Sequence, residues 1–176
     1  MKKLFIILFI LTSFILNAQT KGTFIDIRDN KTYKTIKIGD QIWMNEDLKY
    51  NDTTLYNYQV IMNGTKPDTN QIKGICPYGW HVPNVSEWYK LLITVGRQNA
   101  SEKLRDYNGF HASMNGRYNF DKKLLENKGS HSYYWTSTER DQSTAWVYFI
   151  YEMAPSVNKI DGDKNFGYSL RCIKNF

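Results

Sequence analysis

Cys76 lies near the middle of this 176-residue chain, and its only partner, Cys172, sits four residues from the end. An even cysteine count in an exported chain predicts one disulfide, which would staple the middle of the molecule to its C-terminus. In the chain-entropy model, closing a loop of nearly a hundred residues stabilises a fold by roughly 4 to 5 kcal/mol. A bond that reaches so far limits the architecture more than any other feature of the sequence.

Export is read from the first residues. Met1-Lys2-Lys3 is followed by an apolar run from Leu4 to Leu16, and Asn17-Ala18-Gln19 closes it. A basic start, a short apolar stretch and a small residue at the cut describe a signal peptide spanning residues 1–18. A membrane helix needs roughly 20 apolar residues, so this run is too short to anchor the mature chain. No cysteine stands near the cut to take a lipid. The expected location is the periplasm or the exterior.

The remaining residues, 19–176, suit one domain with a sizeable core. Five Trp, thirteen Tyr and nine Phe supply large rings both for that core and for binding surfaces. The net charge of the whole chain is +6, and its basic residues are scattered, Lys122-Lys123 reading as a solvated turn. Nothing resembles a nucleic-acid stripe, and export argues further against DNA or RNA.

Along the chain, alternating apolar residues predict strands over Phe24 to Ile27, Tyr33 to Ile38 and Gln41 to Met44, with turns at Asp29-Asn30 and Gly39-Asp40. Residues 45–74 are polar and are read as surface loops, including an exposed stretch from Asn63 to Asn70. Asn84 followed by Glu87 predicts a capping box for a helix that buries Trp88, Leu91, Leu92 and Val95 and stops at Gly96. A second short helix is expected from Ala100 to Tyr107 with Leu104 inward. Strand-like segments follow at Phe110 to Ala112, Gly116 to Phe120, Tyr133 to Ser137, Ala145 to Tyr151 and Tyr168 to Ile173. In the last of these Leu170 and Cys172 share a face, which leaves Arg171 at the surface or in a polar pair. Trp135 and Trp146 are expected to face the core.

Several separated motifs occur in a recognisable order: Ile38-Gly39-Asp40-Gln41-Ile42-Trp43-Met44-Asn45-Glu46-Asp47-Leu48, Leu55-Tyr56-Asn57, Cys76-Pro77-Tyr78-Gly79-Trp80-His81-Val82-Pro83 with Glu87-Trp88, Gly109-Phe110-His111-Ala112, Tyr134-Trp135-Thr136-Ser137-Thr138 and Ser169-Leu170-Arg171-Cys172. Together they resemble the Fibrobacter succinogenes major paralogous domain over about Phe24 to Lys174. That family is similar to C-type lectin-like and formylglycine-generating-enzyme-like folds. The resemblance implies an α+β module with few helices, several short antiparallel strands, terminal strands that meet, and long loops on one side. It implies no function, because one fold hosts many.

The familiar chemistries of such folds are not written in the residues. Copper-dependent formylglycine formation needs free paired thiols, and a disulfide uses up both cysteines. The Glu-Pro-Asn, Gln-Pro-Asp and Trp-Asn-Asp triplets of calcium-dependent lectins are missing. Asp161-Gly162-Asp163-Lys164-Asn165 alternates oxygen ligands, but Phe166 occupies the glycine position of an EF-hand and Cys172 that of its closing glutamate, so a polar turn is expected. His81, His111 and His131 lack metal-ligand spacing, and His81 is read as hydrogen-bonded structure. Ser137 and Glu139 have no nucleophile elbow or partnered histidine. No catalytic, cofactor or metal residue is assigned.

The expectation is an exported, non-enzymatic binding module of the cell envelope or secretome that recognises a glycan or an envelope protein through its C-terminal loops. In lectin-like folds ligands meet the loops before the last strands, which here points to Tyr133, Glu139, Arg140, Asp141 and Gln142 and to Asn158 through Phe166. The alternatives are an envelope enzyme whose Glu139 converges with Asp161 or Asp163, and a structural matrix or assembly subunit.

Overall fold

Strands β1 (Lys21–Asp26), β2 (Lys31–Ile38) and β3 (Gln41–Met44) form the meander that the alternating pattern predicts, with Gly39 turning at φ 62° between the last two. The structure is a computed structural model, and it describes residues 20–66 and 71–176. The signal peptide and the far end of the expected loop at 63–70 lie outside the described residues. The chain continues through β4 (Leu55–Tyr56), α1 (Tyr58–Met62), β5 (Trp80–His81), α2 (Val85–Val95), α3 (Ala100–Arg105), β6 (Arg117–Asn119) and β7 (Leu124–Glu126). It ends in β8 (His131–Glu139), β9 (Thr144–Tyr151), β10 (Asn158–Asp163), β11 (Phe166–Ser169) and β12 (Ile173–Lys174). Few helices and mainly antiparallel strands make this an α+β fold.

Two sheets organise the described residues. The first runs β1-β2-β3-β12-β5, so the last strand closes against the third, with Ile173 opposite Trp43. The second runs β10-β9-β8-β11-β6-β7, with β4 added on β11. Only one neighbouring pair in it, β8 with β11, is parallel. Successive residues of β8 and β9 serve opposite faces of this sheet: Tyr133, Trp135, Ala145 and Val147 join one core cluster, while Tyr134, Tyr148 and Ile150 join another. Both faces are therefore covered, the first by α1 and the second by α2.

Helix α2 follows the predicted signals. Asn84 accepts from the Glu87 amide, Glu87 accepts from the Asn84 amide, and Gly96 ends the helix. Such caps contribute about 1 kcal/mol. Trp88 stacks on Tyr148 with centroids 5.0 Å apart and meets Trp43 at 5.2 Å, which fastens the helix between the two sheets. The Cys76–Cys172 bond is present with a Cα separation of 6.0 Å, buried in the first cluster.

Arg171 has 0% exposure and lies in a polar pair rather than at the surface. Its Nε and Nη2 donate to Asp47 Oδ1 at 3.1 and 2.5 Å, its Nη1 to the Phe110 carbonyl, and Nη2 also to the His111 carbonyl at 3.1 Å. The guanidinium lies 4.2 Å from the Phe110 ring centroid. Asn115 Nδ2 satisfies the second Asp47 oxygen at 2.9 Å. One buried cation thus ties three distant segments together.

Three local expectations are corrected by the structure. Phe110 to Ala112 is not a strand, because the carbonyls of 110 and 111 turn inward to Arg171 and His111 takes φ 55°. Residues 45–74 are not simply surface loops: Leu48, Ile61, Met62 and Ile72 are buried, and α1 packs Tyr58 edge-on to Trp135 at 5.2 Å. The Tyr56 hydroxyl donates toward the Thr53 carbonyl at 2.5 Å and accepts from the Tyr50 amide at 2.7 Å, organising the polar turn from inside. The Asn158 to Phe166 stretch, expected as a loop, is largely the edge strand β10, recruited by its pairing with β9.

Candidate functional site

The turn joining β8 to β9 carries four of the residues singled out from the sequence, and each has a different fate. Asp141 is exposed, but its carboxylate accepts from the amides of Ser143 and Thr144 at 2.8 and 2.7 Å and from both hydroxyls at 3.0 and 2.7 Å. The Thr144 hydroxyl and the amides of Ser143 and Thr144 hold its acidity well below the ordinary carboxylate range. Asp141 therefore builds the turn. Gln142 keeps an exposed side chain and lends only its carbonyl.

Glu139 and Arg140 are consecutive and point to opposite sides of the sheet. Glu139 pairs with Lys164, whose ammonium donates to Glu139 Oε1 at 2.8 Å and to the carbonyls of Asp141 and Gln142 at 2.7 and 3.1 Å. This oxygen nest has the composition of a cation site, and the protein's own lysine fills it. The Lys164-Asn165 turn, where Asp163 Oδ1 accepts the Asn165 amide at 2.9 Å, is the expected polar turn. Glu139 and Lys164 border an open groove of about 430 Å³ whose other wall is α1.

Tyr133 does not belong to this surface. It is 5% exposed, packs on Phe149 and Tyr168 at 5.0 and 5.4 Å, and its hydroxyl accepts from Asn127 Nδ2 at 3.0 Å. Its place on the inward face of β8 explains its burial.

Arg140 leads to the other face. It forms an ion pair with Asp161 and lies 5.4 Å from the Trp146 ring centroid, while Lys159 Nζ stands 3.9 Å from the same centroid. Trp146 is partly exposed, which corrects the expectation that it faces the core. Period two places Trp146 on the same face as Tyr148 and Ile150, but unlike them it stands outside the buried cluster there. Lys159 lies opposite Tyr148 and Asp161 opposite Trp146, so these side chains share one face.

Lys159 and Tyr148 also line a groove of about 390 Å³ that continues to Tyr89 and Arg97 at the near side of α2. Tyr89 is 51% exposed, with the Arg97 guanidinium 5.6 Å from its centroid. Burial pushes the Tyr148 phenol up to about 12, so it stays a neutral donor to the Val85 carbonyl at 3.2 Å. The strip from Trp146 to Tyr89 therefore offers two accessible rings and three cations, Arg97, Arg140 and Lys159, against one carboxylate, Asp161. Cations held over rings keep their charge while their positions are fixed.

The carboxylates proposed for an enzyme are not brought together. Glu139 faces the side of Ala145, its pairing partner, whereas Asp161 and Asp163 stand opposite Trp146 and Thr144 on the other side of the sheet. His81 is buried between Glu87 Oε1, 2.7 Å from Nε2, and Asn175 Oδ1, 2.8 Å from Nδ1, as a structural link from α2 to the C-terminus. Among the described residues, no three His, Cys, Asp or Glu side chains gather to hold a metal ion, and no helix is long and apolar enough to cross a membrane.

The sequence reading found Arg140 and, within the stretch from Asn158 to Phe166, Lys159; it missed Tyr89 and Arg97 and placed Trp146 in the core. A family model, the Fibrobacter succinogenes major domain, matches residues 49–174. The match begins after β3, although β3 pairs with the final strand of the same domain. No curated protein and no solved structure matches the chain.

Proposed function

The chain belongs to the Fibrobacter succinogenes major domain family, and from that premise we propose that it is an exported, non-enzymatic binding module of the cell envelope that recognises an acidic polysaccharide. Its fold is read as C-type lectin-like, supported by the pairing of β3 with β12, which joins the early and the last strands of the domain. The observation that carries the functional reading is the partly exposed Trp146 held between Arg140 and Lys159 and continuous with the Tyr89–Arg97 groove.

The chemistry follows from the residue types. Sugar rings present C–H faces that pack on aromatic side chains, and Trp146 and Tyr89 supply such faces at the two ends of the strip. Carboxylates on successive uronate units meet Lys159 and Arg97, whose charges are not matched by acids in the groove. Asp161 partly neutralises Arg140 and orients it, so a bound carboxylate completes an existing arrangement instead of ordering a free side chain.

The test is binding of the mature chain to polygalacturonate, alginate and neutral glucan, measured by titration calorimetry at several salt concentrations. Saturable binding to the polyuronates that weakens as salt rises, with none to glucan, supports the reading. Equal binding to glucan, or none to any acidic polymer, overturns it.

A further inference from the structure

A second groove is built from segments that the proposed function does not use. It has a volume of about 430 Å³ and is lined by Lys21 and Thr23 of β1, Lys34 and Thr35 of β2, and Tyr107 and His111 of the segment after α3. We propose that this groove is a separate binding site for a small anionic sugar, a single ring that carries a carboxylate or a phosphate.

Three observations converge on that class of ligand. The first is charge: two lysines and three hydroxyl-bearing residues, Thr23, Thr35 and Tyr107, line the groove, and no carboxylate residue does. The nearest acids stand outside the lining and each has a partner, with Glu46 at the groove's edge on Lys34. Glu46 Oε1 accepts the Lys34 amide at 2.7 Å, Asp47 is neutralised by Arg171, and Asp106 Oδ1 accepts the Asn108 amide at 2.9 Å. An anion entering between Lys21 and Lys34 therefore meets no opposing charge in the lining.

The second is the wall. Tyr107 is 69% exposed, and its ring meets His111 edge to face with centroids 4.8 Å apart. The His111 ring props the exposed Tyr107 ring, whose face is of the kind on which a sugar ring packs. Burial and the nearby Arg171 charge hold the His111 pKa below its ordinary value, so its imidazole is neutral at pH 7 and serves as a hydrogen-bond partner.

The third is preorganisation. His111 is a non-glycine residue at φ 55°, a left-handed conformation that holds only where the surroundings over-determine it. Here its amide donates to the Asp106 carbonyl at 3.1 Å and its carbonyl accepts from Arg171 at 3.1 Å. The backbone is clamped from inside by the most buried cation of the fold, and the side chain is delivered to the groove. On β1, the absence of a side chain at Gly22 lets the Thr35 hydroxyl approach closely; a Cβ there would stand 3.0 Å from Thr35 Oγ1.

The experiment is a titration of the mature chain with glucuronate, glucose 6-phosphate and glucose, followed by amide chemical shifts and calorimetry. The expected result is saturable shifts at Lys34, Tyr107 and His111 with at least one anionic sugar and none with glucose; the carboxylate and phosphate arms identify the group preferred. The double variant K21Q/K34Q should weaken that binding at least tenfold while unfolding at the same temperature. W146A should leave it unchanged, which separates this site from the polysaccharide strip. Absence of saturable shifts with both anionic sugars, equal binding of glucose, or undiminished affinity in K21Q/K34Q overturns the proposal.

Discussion

Replacing Arg171 by Met tests whether one buried cation holds the domain together. The substitution keeps an unbranched apolar stem but removes the donors to Asp47 Oδ1 and to the carbonyls of Phe110 and His111. Asp47, almost fully buried, is left as a carboxylate with Asn115 as its remaining side-chain partner. Removing one member of a buried ion pair typically destabilises by about 3–5 kcal/mol, because the other charge stays desolvated. For a chain of this size each kcal/mol lowers the melting temperature by about 2–4 °C, so R171M should melt roughly 6–20 °C below the parent. The assay is urea unfolding followed by tryptophan fluorescence, with thermal melts in parallel. D47N should also be destabilised, since it leaves the Arg171 guanidinium buried without a counter-charge, held only by the carbonyls of Phe110 and His111. The double variant R171M/D47L should lose less than the sum of the two corresponding single variants, the coupling reporting the pair directly. A loss below about 1 kcal/mol in R171M, or strict additivity in the double variant, would refute the reasoning.

Two further outcomes follow from the fold. The C76S/C172S variant should lose about 4.7 kcal/mol by the loop-entropy model, read as a shift of the urea midpoint, and the parent should show the same shift when unfolded under reducing conditions; unchanged midpoints would mean that the bond does not constrain the unfolded chain. Burial alone would raise the pKa of Asp26, but the Arg28 side-chain and amide hydrogen bonds and the Arg28 charge outweigh it and lower the value. That pair should therefore stabilise the fold above the ordinary aspartate pKa and be lost as pH falls through the depressed one. D26N should accordingly narrow the stability gap to the parent below about pH 4, in acid titrations monitored by circular dichroism.

The parts of the fold legible in the sequence are those in which local and tertiary preferences agree. The Asn84–Glu87 capping box, the Gly39-Asp40 turn and the alternation around Arg171 all state in neighbouring residues what the packing then uses. Five-residue α1 was illegible because Tyr58 to Met62 is too short for a 3.6-residue period to emerge, and its burial depends on Trp135 far along the chain. Edge strand β10 contains Asn, Asp and Gly, poor strand formers, and exists through its ladder with β9. Phe110 to Ala112 has strand-like residues, yet Arg171 draws its carbonyls inward from sixty residues away.

The candidate site was half legible for a related reason. Glu139, Arg140, Asp141 and Gln142 are adjacent in sequence, but strand geometry sends Glu139 to Lys164 and Arg140 to Trp146. Side chains from β9, β10, α2 and the turn after it complete the strip, and no local pattern announces that Lys159 will stand over Trp146 or Arg97 over Tyr89. Tyr133, taken from the same stretch, belongs to the inward face and to the core.

The most direct test of the central claim is the affinity of the mature chain for polygalacturonate before and after W146A, with K159Q/R97Q as the charge control and the unfolding midpoint as the check on folding. The account predicts at least a tenfold loss, about 1.4 kcal/mol, in W146A and a reduced salt dependence in K159Q/R97Q, with both variants folded. Undiminished binding in the folded W146A protein would contradict it.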